Sequence, residues 1–286
     1  MMRTSLPNFS YEQPKTIEEA LKLVVQHQDT FCFMAGGTDL LVDMRAGLKA
    51  PKVVIDLKSI SELQELSYKE GIGLRIGATV TATRLLKEPR LPTHYRCLYD
   101  SISDFCDAIL RSRATIGGNI CTASPAADSV PPLLVLGAKL EIVGPKGKRE
   151  LPLKEFFQGV KQSSLAADEI LTTILLPNFP EGCPNKYMKM KRGAEDLAVV
   201  GTAGLHHPDG KVLLAYSSVA PTPVLIDITD QISKGNNLTE KIELAVEIAL
   251  KNISPITDVR GGEEYRKNMV DITTRFVLSE ILGGTH

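Results

Sequence analysis

An α+β fold is predicted by the order in which hydrophobic patterns follow one another along these 286 residues. Adjacent glycines at Gly36-Gly37 and Gly117-Gly118 each stand beside a helical pattern, so the chain bends twice in the same manner. Between Pro177 and Pro184 (PNFPEGCP) proline and glycine interrupt all periodicity, and past that break three strands precede two helices instead of alternating with them. The expected organisation is therefore two domains, 1–177 and 178–286, each long enough to bury its own core.

The first elements are short. Thr16 to Gln26 reads as an amphipathic helix with Thr16 as cap and Glu19 completing a capping box. Phe31 to Met34 is a brief apolar strand running into the first glycine pair, after which Thr38 or Asp39 caps the helix LLVDMRA, closed by Gly47. A bend between a strand end and a helix start suits a phosphate. A carboxylate aimed at that phosphate would repel it, so the Asp39 side chain is expected to cap the helix or to reach a ribose hydroxyl. Lys52 to Leu57 is a β-branched strand, Ser61 opens a short helix, and Gly73 to Thr83 alternates as a half-buried strand.

Arg96 to Leu110 carries Leu98, Ile102, Phe105, Ile109 and Leu110 at helical spacing, with Cys106 beside the stripe as a core residue. The second bend, TIGGNI, follows Arg111 and Arg113, which are either solvated or soften the field for an anion. Consecutive amides there are expected to converge as a nest, beside a helix opened by Ser124 as cap and Pro125 as first position. Asp128 is either a local cap or a ligand acceptor. Pro131 and Pro132 reset the chain, and LLVLG completes a helical stretch at Gly137.

Ala138–Val143 and Lys148–Leu153 form a hairpin, and Glu169 to Leu176 is a further strand. In the last third, Tyr187–Arg192, Leu197–His206 and Lys211–Val219 read as three antiparallel strands. Thr239–Asn252 and a helix from near Gly262 follow, the second with Tyr265, Met269, Ile272 and Phe276 on one face.

Composition narrows the function. The chain is 43% hydrophobic and 23% charged with a net charge of −1, which offers no pull toward nucleic acid or an anionic membrane. No Trp and 5% aromatic residues leave no base-stacking platform. No apolar run reaches the ~20 residues of a membrane span, and Met1 to Pro14 shows no secretory pattern. Five cysteines without Cys-x-x-Cys spacing read as reduced thiols, so a cytoplasmic setting and no metal site are expected. Neither bend matches a Gly-x-Gly-x-x-Gly fingerprint or a Walker loop, and no zinc motif or nucleophile elbow is present. The residues alone point to a dinucleotide-sized ligand, its diphosphate held by backbone amides from two sides.

AGGTDLL, TIGGNI followed by ASPAAD, and the spacing of Lys189, Arg192, Asp196 and Ala198 together resemble the FAD-binding medium subunit of molybdenum hydroxylases. That family includes aerobic carbon monoxide dehydrogenases and the flavin parts of xanthine and aldehyde dehydrogenases. The likeness runs almost end to end, through Asp258, Arg260, Tyr265 and Arg266. It implies a flavin domain of the vanillyl-alcohol-oxidase (PCMH) type built from two α+β subdomains, with a small C-terminal domain of three strands and helices. It implies FAD bound by Met34, Ala35, Gly36, Gly37, Thr38, Asp39 and Leu40 on one side and by Thr115, Ile116, Gly117, Gly118 and Asn119 on the other. Asp128 would meet the ribityl or ribose end, Leu171 and Leu197 would give apolar contacts, and Lys189 would favour a reduced, anionic flavin. No catalytic acid, base or nucleophile is implied. The implied partners are a molybdopterin-containing large subunit and a 2Fe–2S small subunit in a dimerised heterotrimer, with NAD or a quinone as electron acceptor.

The chain departs from the family pattern at Ile109-Leu-Arg-Ser-Arg-Ala114, where a Gln-Ile-Arg-Asn-like run is more usual, and at Leu197, where some relatives place a Tyr against the ring. It lacks the cysteine-rich insertion that carries an extra iron–sulfur cluster in the benzoyl-CoA reductase branch. A stand-alone FAD oxidoreductase is the alternative, and it would need an acid or base near the flavin. A non-catalytic flavin-binding or assembly protein is a third reading, separated from the others by whether its flavin is reducible.

Overall fold

The computed structural model describes residues 5–193 and 195–283. The outermost ends of the expected domains, residues 1–4 and 284–286, lie outside the described residues.

The chain begins with a small parallel sheet in the order β1 (Ser10–Glu12), β3 (Val53–Asp56), β2 (Phe31–Met34). Between its strands run α1 (Ile17–His27) and α2 (Leu40–Ala46). Thr16 caps α1 as expected, accepting from the Glu19 amide at 3.1 Å, while Glu19 accepts from the amide of Lys15 at 2.7 Å. Gly47 closes α2 in the left-handed region at φ 74°. Asp39 stands at the cap position of α2 without a side-chain bond to the helix.

A five-stranded sheet follows in the order β4 (Leu66–Lys69), β5 (Gly73–Gly77), β10 (Ile170–Pro177), β6 (Lys139–Gly144), β7 (Gly147–Pro152). The strand expected over Gly73–Thr83 stops at Gly77 because Thr81 caps a new helix, α3 (Ala82–Leu85), by accepting from the Arg84 amide. Only a 3₁₀ turn forms at Ser61–Gln64, and β4 begins two residues later. Further short helices are α4 (Leu91–His94), α5 (Arg96–Ser103), α6 (Ala108–Arg111), α7 (Ile116–Cys121) and α8 (Val130–Val135). The single helix expected from Arg96 to Leu110 is thus two. It breaks where Cys106 takes φ 46° and Asp107 caps α6, accepting from the Leu110 amide at 2.6 Å. Cys106 is half-buried, packed against the core edge. No helix starts at Ser124: Ala123 takes φ 48°, Ser124 only accepts from the Ala126 amide, and the prolines at the first turn of α8 set the start later. A two-stranded ribbon, β8 (Phe157–Gly159) with β9 (Gln162–Ser163), completes this part.

The last sheet has the three expected antiparallel strands, β11 (Asn185–Met190), β12 (Val200–His206) and β13 (Val212–Ser217), and a fourth, β14 (Val224–Asp227). The helix α9 (Thr229–Ile232) leads to α10 (Leu238–Lys251) and α11 (Glu263–Leu282). Alternation sends the two faces of this sheet in different directions. Tyr187, Ala203, Leu205 and Ala215 join the same buried cluster as β5, β6, β10, α5 and α8. Val212, Leu214 and Tyr216 pack with Ala245, Val270, Val277 and Leu278 of α10 and α11.

The stripe expected to bury α11 points outward, with Tyr265, Ile272 and Phe276 exposed and Met269 alone buried. The inward face carries Arg266, Thr273 and Thr274. Both hydroxyls find partners, Thr273 meeting Thr202 at 2.7 Å and Thr274 meeting Tyr216 at 2.8 Å. Both terminal guanidinium nitrogens of Arg266 are bonded, while its Nε is not. Hydropathy alone misplaces such a helix, because bonded hydroxyls bury at little cost. Among the described residues no helix is long and apolar enough to cross a membrane, and no cluster of three His, Cys, Asp or Glu side chains is placed to hold a metal ion.

Candidate functional site

The first bend leaves β2 at its C-terminal end, beside Asp56 of β3 in parallel register with Met34. Gly37 takes φ 76°, a conformation that only glycine holds without strain. A Cβ on Gly36 would lie 2.2 Å from the Arg113 carbonyl oxygen, so the bend is pressed against the chain just ahead of the second motif. The amides of Gly36, Gly37, Thr38 and Asp39 donate to no acceptor among the described residues. That leaves four consecutive N–H groups, between a strand end and a helix start, free for something the protein does not supply.

The second bend is built differently from the expected nest. Thr115 caps α7 by accepting from the Gly118 amide at 3.0 Å, so Gly117 and Gly118 form the first turn of a helix. Gly117 is needed for closeness: a Cβ there would meet the Ala78 carbonyl at 2.6 Å. Ile116, 2% exposed, is tied through its amide to the Val80 carbonyl at 3.1 Å. Asn119 accepts from the Ser129 hydroxyl at 2.6 Å.

A side-chain bond also joins the two motifs. The Thr122 hydroxyl, one turn past Gly118, donates to the Asp39 carboxylate at 2.7 Å and lies 3.0 Å from the Gly118 carbonyl. Asp39 therefore neither caps α2 nor stands unpartnered. Cys121 presents surface to solvent, yet burial of its thiol pushes the pKa up to about 12. Arg111 is taken up by the carbonyls of Phe105 and Cys106, at 2.8 and 2.6 Å.

Asp128 and Lys189 come together across 61 residues of chain. Lys189 Nζ donates to Asp128 Oδ2 at 2.7 Å, with the two side chains 1% and 0% exposed. Alternation along β11 places Lys189 on the same face as Tyr187, whose hydroxyl donates to Asp128 Oδ1 at 3.5 Å. Lys189 also lies 3.4 Å from the Asp104 carbonyl. Burial pushes the Asp128 carboxyl up, against the pull of Lys189, and the same burial and the Asp128 charge push the Tyr187 hydroxyl up. Asp128 is thus no local helix cap: its side chain serves Lys189. Leu171 lies in the core at 3% exposure, opposite Ile142 of β6, next to an irregularity that separates it from Thr173. Leu197 is 47% exposed ahead of β12, which begins only at Val200.

Sequence reasoning missed Thr122, Asp56, Lys58 and Tyr11, all bonded into or behind the first bend. Asp56-Leu-Lys58 ends a β-branched run, and a carboxylate closing an apolar strand is the one signal that would have marked it.

The residues present fit a diphosphate-containing cofactor. Two chain bends lie against each other, one with free amides, and the carboxylate of Asp39 in the first bend is tied to a hydroxyl of the second. Similarity to known proteins agrees. The family described as FAD binding domain in molybdopterin dehydrogenase matches residues 7–179, and the CO dehydrogenase flavoprotein C-terminal domain matches residues 185–281. The chain is 30% identical to a putative xanthine dehydrogenase FAD-binding subunit of Escherichia coli over 95% of both chains. It is 30% identical to the carbon monoxide dehydrogenase medium chain of Hydrogenophaga pseudoflava, over 92% of this chain and 93% of that one. In structure it superposes on a chain of carbon monoxide dehydrogenase from Hydrogenophaga pseudoflava with a TM-score of 0.90, 26% identity and coverage of 98% and 99%. Quinoline 2-oxidoreductase from Pseudomonas putida gives 0.89 at 25% identity, with 99% and 100% covered. The chain belongs to the family of FAD-binding oxidoreductase subunits of molybdenum hydroxylases, and FAD is its cofactor.

Proposed function

We propose that this chain is the electron-transfer subunit of a molybdenum hydroxylase assembly, receiving electrons from an iron–sulfur subunit and passing them to an external acceptor such as NAD or a quinone. The observation that carries the reading is the meeting of the two diglycine motifs, with the free amides of Gly36 to Asp39 at their junction. Relatives matching over nearly their whole length bear names of FAD subunits and medium chains, which supports a large molybdopterin subunit and a small 2Fe–2S subunit as partners.

In this reading residues 1–177 form the flavin domain and 178–286 the domain that closes over it. Met34, Ala35, Gly36, Gly37, Thr38, Asp39 and Leu40 hold the diphosphate with Thr115, Ile116, Gly117, Gly118 and Asn119. Asp128 is assigned to the ribityl or ribose hydroxyls, which it would reach by exchanging the long Tyr187 bond while keeping Lys189. Lys189 supplies positive charge near the ring, and Leu171 and Leu197 supply apolar contact. When bound there, FAD provides a redox centre able to take up two electrons and to exchange them singly. The protein's own part is to orient the cofactor and set its electrostatic surroundings. All five cysteines are free, which supports a reducing, cytoplasmic setting.

The test is to purify the chain with its co-encoded partners, record the flavin absorbance, and add substrate of the molybdenum subunit anaerobically. Bleaching of the flavin band that depends on the iron–sulfur subunit is the expected result. A purified chain without flavin, or a flavin that stays oxidised while the iron–sulfur clusters are reduced, would overturn the reading.

A further inference from the structure

The diglycine turn after β2 is suspended from a bonded chain of side chains that takes no part in the ligand-holding set above. Lys58 lies two residues beyond the end of β3. Its ammonium donates to the Ala35 carbonyl at 2.9 Å and to Asp56 Oδ1 at 2.7 Å, and its amide donates to the same Oδ1 at 3.0 Å. Behind it the Tyr11 hydroxyl, from β1, donates to Asp56 Oδ2, and Gln13 donates to Tyr11 at 3.1 Å. Asp56 is 1% exposed. Burial pushes its carboxyl up, but the bonds from Lys58 and Tyr11 prevail and hold it low, so a full charge sits at the C-terminal edge of the parallel sheet.

The consequence follows from peptide geometry. The Ala35 carbonyl and the Gly36 N–H belong to one planar trans unit and point in opposite directions. A carbonyl fixed toward Lys58 therefore turns the Gly36 N–H away from β3. The turn also runs close beside the Arg113 carbonyl, so close that a Cβ on Gly36 would lie 2.2 Å from its oxygen, which limits the room for the turn to move. We propose that Lys58 sets the direction of the Gly36 amide, and with it the free amides through Asp39, to receive the diphosphate of FAD. Lys58 is a positioning residue acting through the backbone, and Asp56 and Tyr11 keep its ammonium in place. The inference rests on the FAD reading of the two bends given above.

Replacing Lys58 alone would strand the buried Asp56 carboxylate and threaten the fold. The variant to make is therefore Lys58→Met together with Asp56→Asn in the full-length chain, with FAD as the probe. Three quantities are read: the FAD dissociation constant by flavin fluorescence, the ³¹P resonances of bound FAD, and its visible absorption band. The expected result is a dissociation constant raised about tenfold, the scale of one charge-assisted hydrogen bond lost from an arrangement. The diphosphate resonances shift, while the ring band keeps its position. Tyr11→Phe, at an exposed residue, changes the same two quantities in the same direction by less, and stands in should the double variant not fold. Lys58→Arg, which retains a donor, stays near the parent. An unchanged dissociation constant overturns the proposal, and so does a raised one with unmoved ³¹P resonances, which marks a brace of the fold only. A parent chain that binds no FAD overturns the flavin reading itself, whereas a parent that binds and a double variant that matches it overturn only the role of Lys58.

Discussion

At Gly36 an added methyl would stand 2.2 Å from the Arg113 carbonyl oxygen and 2.9 Å from its carbon, both backbone atoms with no rotamer to yield. Gly36→Ala therefore forces the two motifs apart, and is expected to cost about 1–3 kcal/mol of stability by overpacking. FAD affinity should fall with it. Urea denaturation and flavin titration measure the two effects, and a variant that kept both would show the contact to be slack. Asp128 and Lys189 pose the opposite problem, a close pair with no water to screen it. Lys189→Met leaves a buried carboxylate alone and is expected to cost about 3–5 kcal/mol near neutral pH, most of it recovered when Asp128→Asn is added. The sign with pH follows from the raised Asp128 carboxyl: the folded chain takes up the proton more readily than the unfolded one, so stability rises as pH falls through the window above the ordinary carboxylate value. The deficit of Lys189→Met should accordingly shrink on acidification toward that value. A deficit that was constant with pH would mean that Asp128 finds another cation.

Among the elements, α11 shows how a helix can be anchored by polar contacts along its inner face. Arg266, 1% exposed, donates to the carbonyls of Val199 and Ser218 at 2.7 and 2.8 Å and to Asp258 at 2.6 Å. Partial burial pushes the Asp258 carboxyl up, but hydrogen bonds from Arg260 and Arg266 outweigh it and hold the pKa at about 2. A carboxyl lowered in the folded state contributes stability that is complete above about pH 4, the ordinary carboxylate value, and is lost as pH falls toward 2. Asp258→Asn is expected to cost about 1–3 kcal/mol at neutral pH, less than for a fully buried pair because Asp258 keeps contact with solvent while Arg266 does not. It should also flatten the acid limb of a stability–pH curve between those limits, and an unaltered limb would assign that limb to other carboxylates. The apolar strands β2, β3 and β10, the β6–β7 hairpin and the caps at Thr16 and Gly47 were legible because each is set by near neighbours in sequence, whereas the short or polar strands β1, β4, β8, β9 and β14 were not. What misled was long-range. Thr273 and Thr274 look like an outward face until Thr202 and Tyr216 arrive from the sheet to bond them. Likewise Asp39 reads as a helix cap until Thr122 reaches it from 83 residues away. The two motifs themselves were legible, whereas the brace of Lys58 on Ala35 was not, since nothing local ties a lysine to a carbonyl 23 residues upstream.

For the molecule as a whole, the proline-rich break at Pro177–Pro184 separates the chain in sequence more than it separates the packing. Tyr187, Ala203, Leu205 and Ala215, all beyond the break, are buried in the same cluster as Leu140, Ile174 and Leu133 before it. The Asp128–Lys189 pair bridges the same seam, as does the Ser218 amide donating to the Pro125 carbonyl at 2.7 Å. A shared core couples the unfolding of both parts, so a single thermal transition is expected where two independent domains would give two. FAD at 100 times its dissociation constant adds about 2.7 kcal/mol. At this chain length that raises the melting temperature by roughly 5 °C. Because the parts are coupled, that shift should move the whole transition, including the tyrosine signal from Tyr187 and Tyr216 of the last sheet. Calorimetry with and without flavin decides it. Two separated transitions, of which FAD moves only one, would mean that the last sheet closes over the flavin site without sharing its stability.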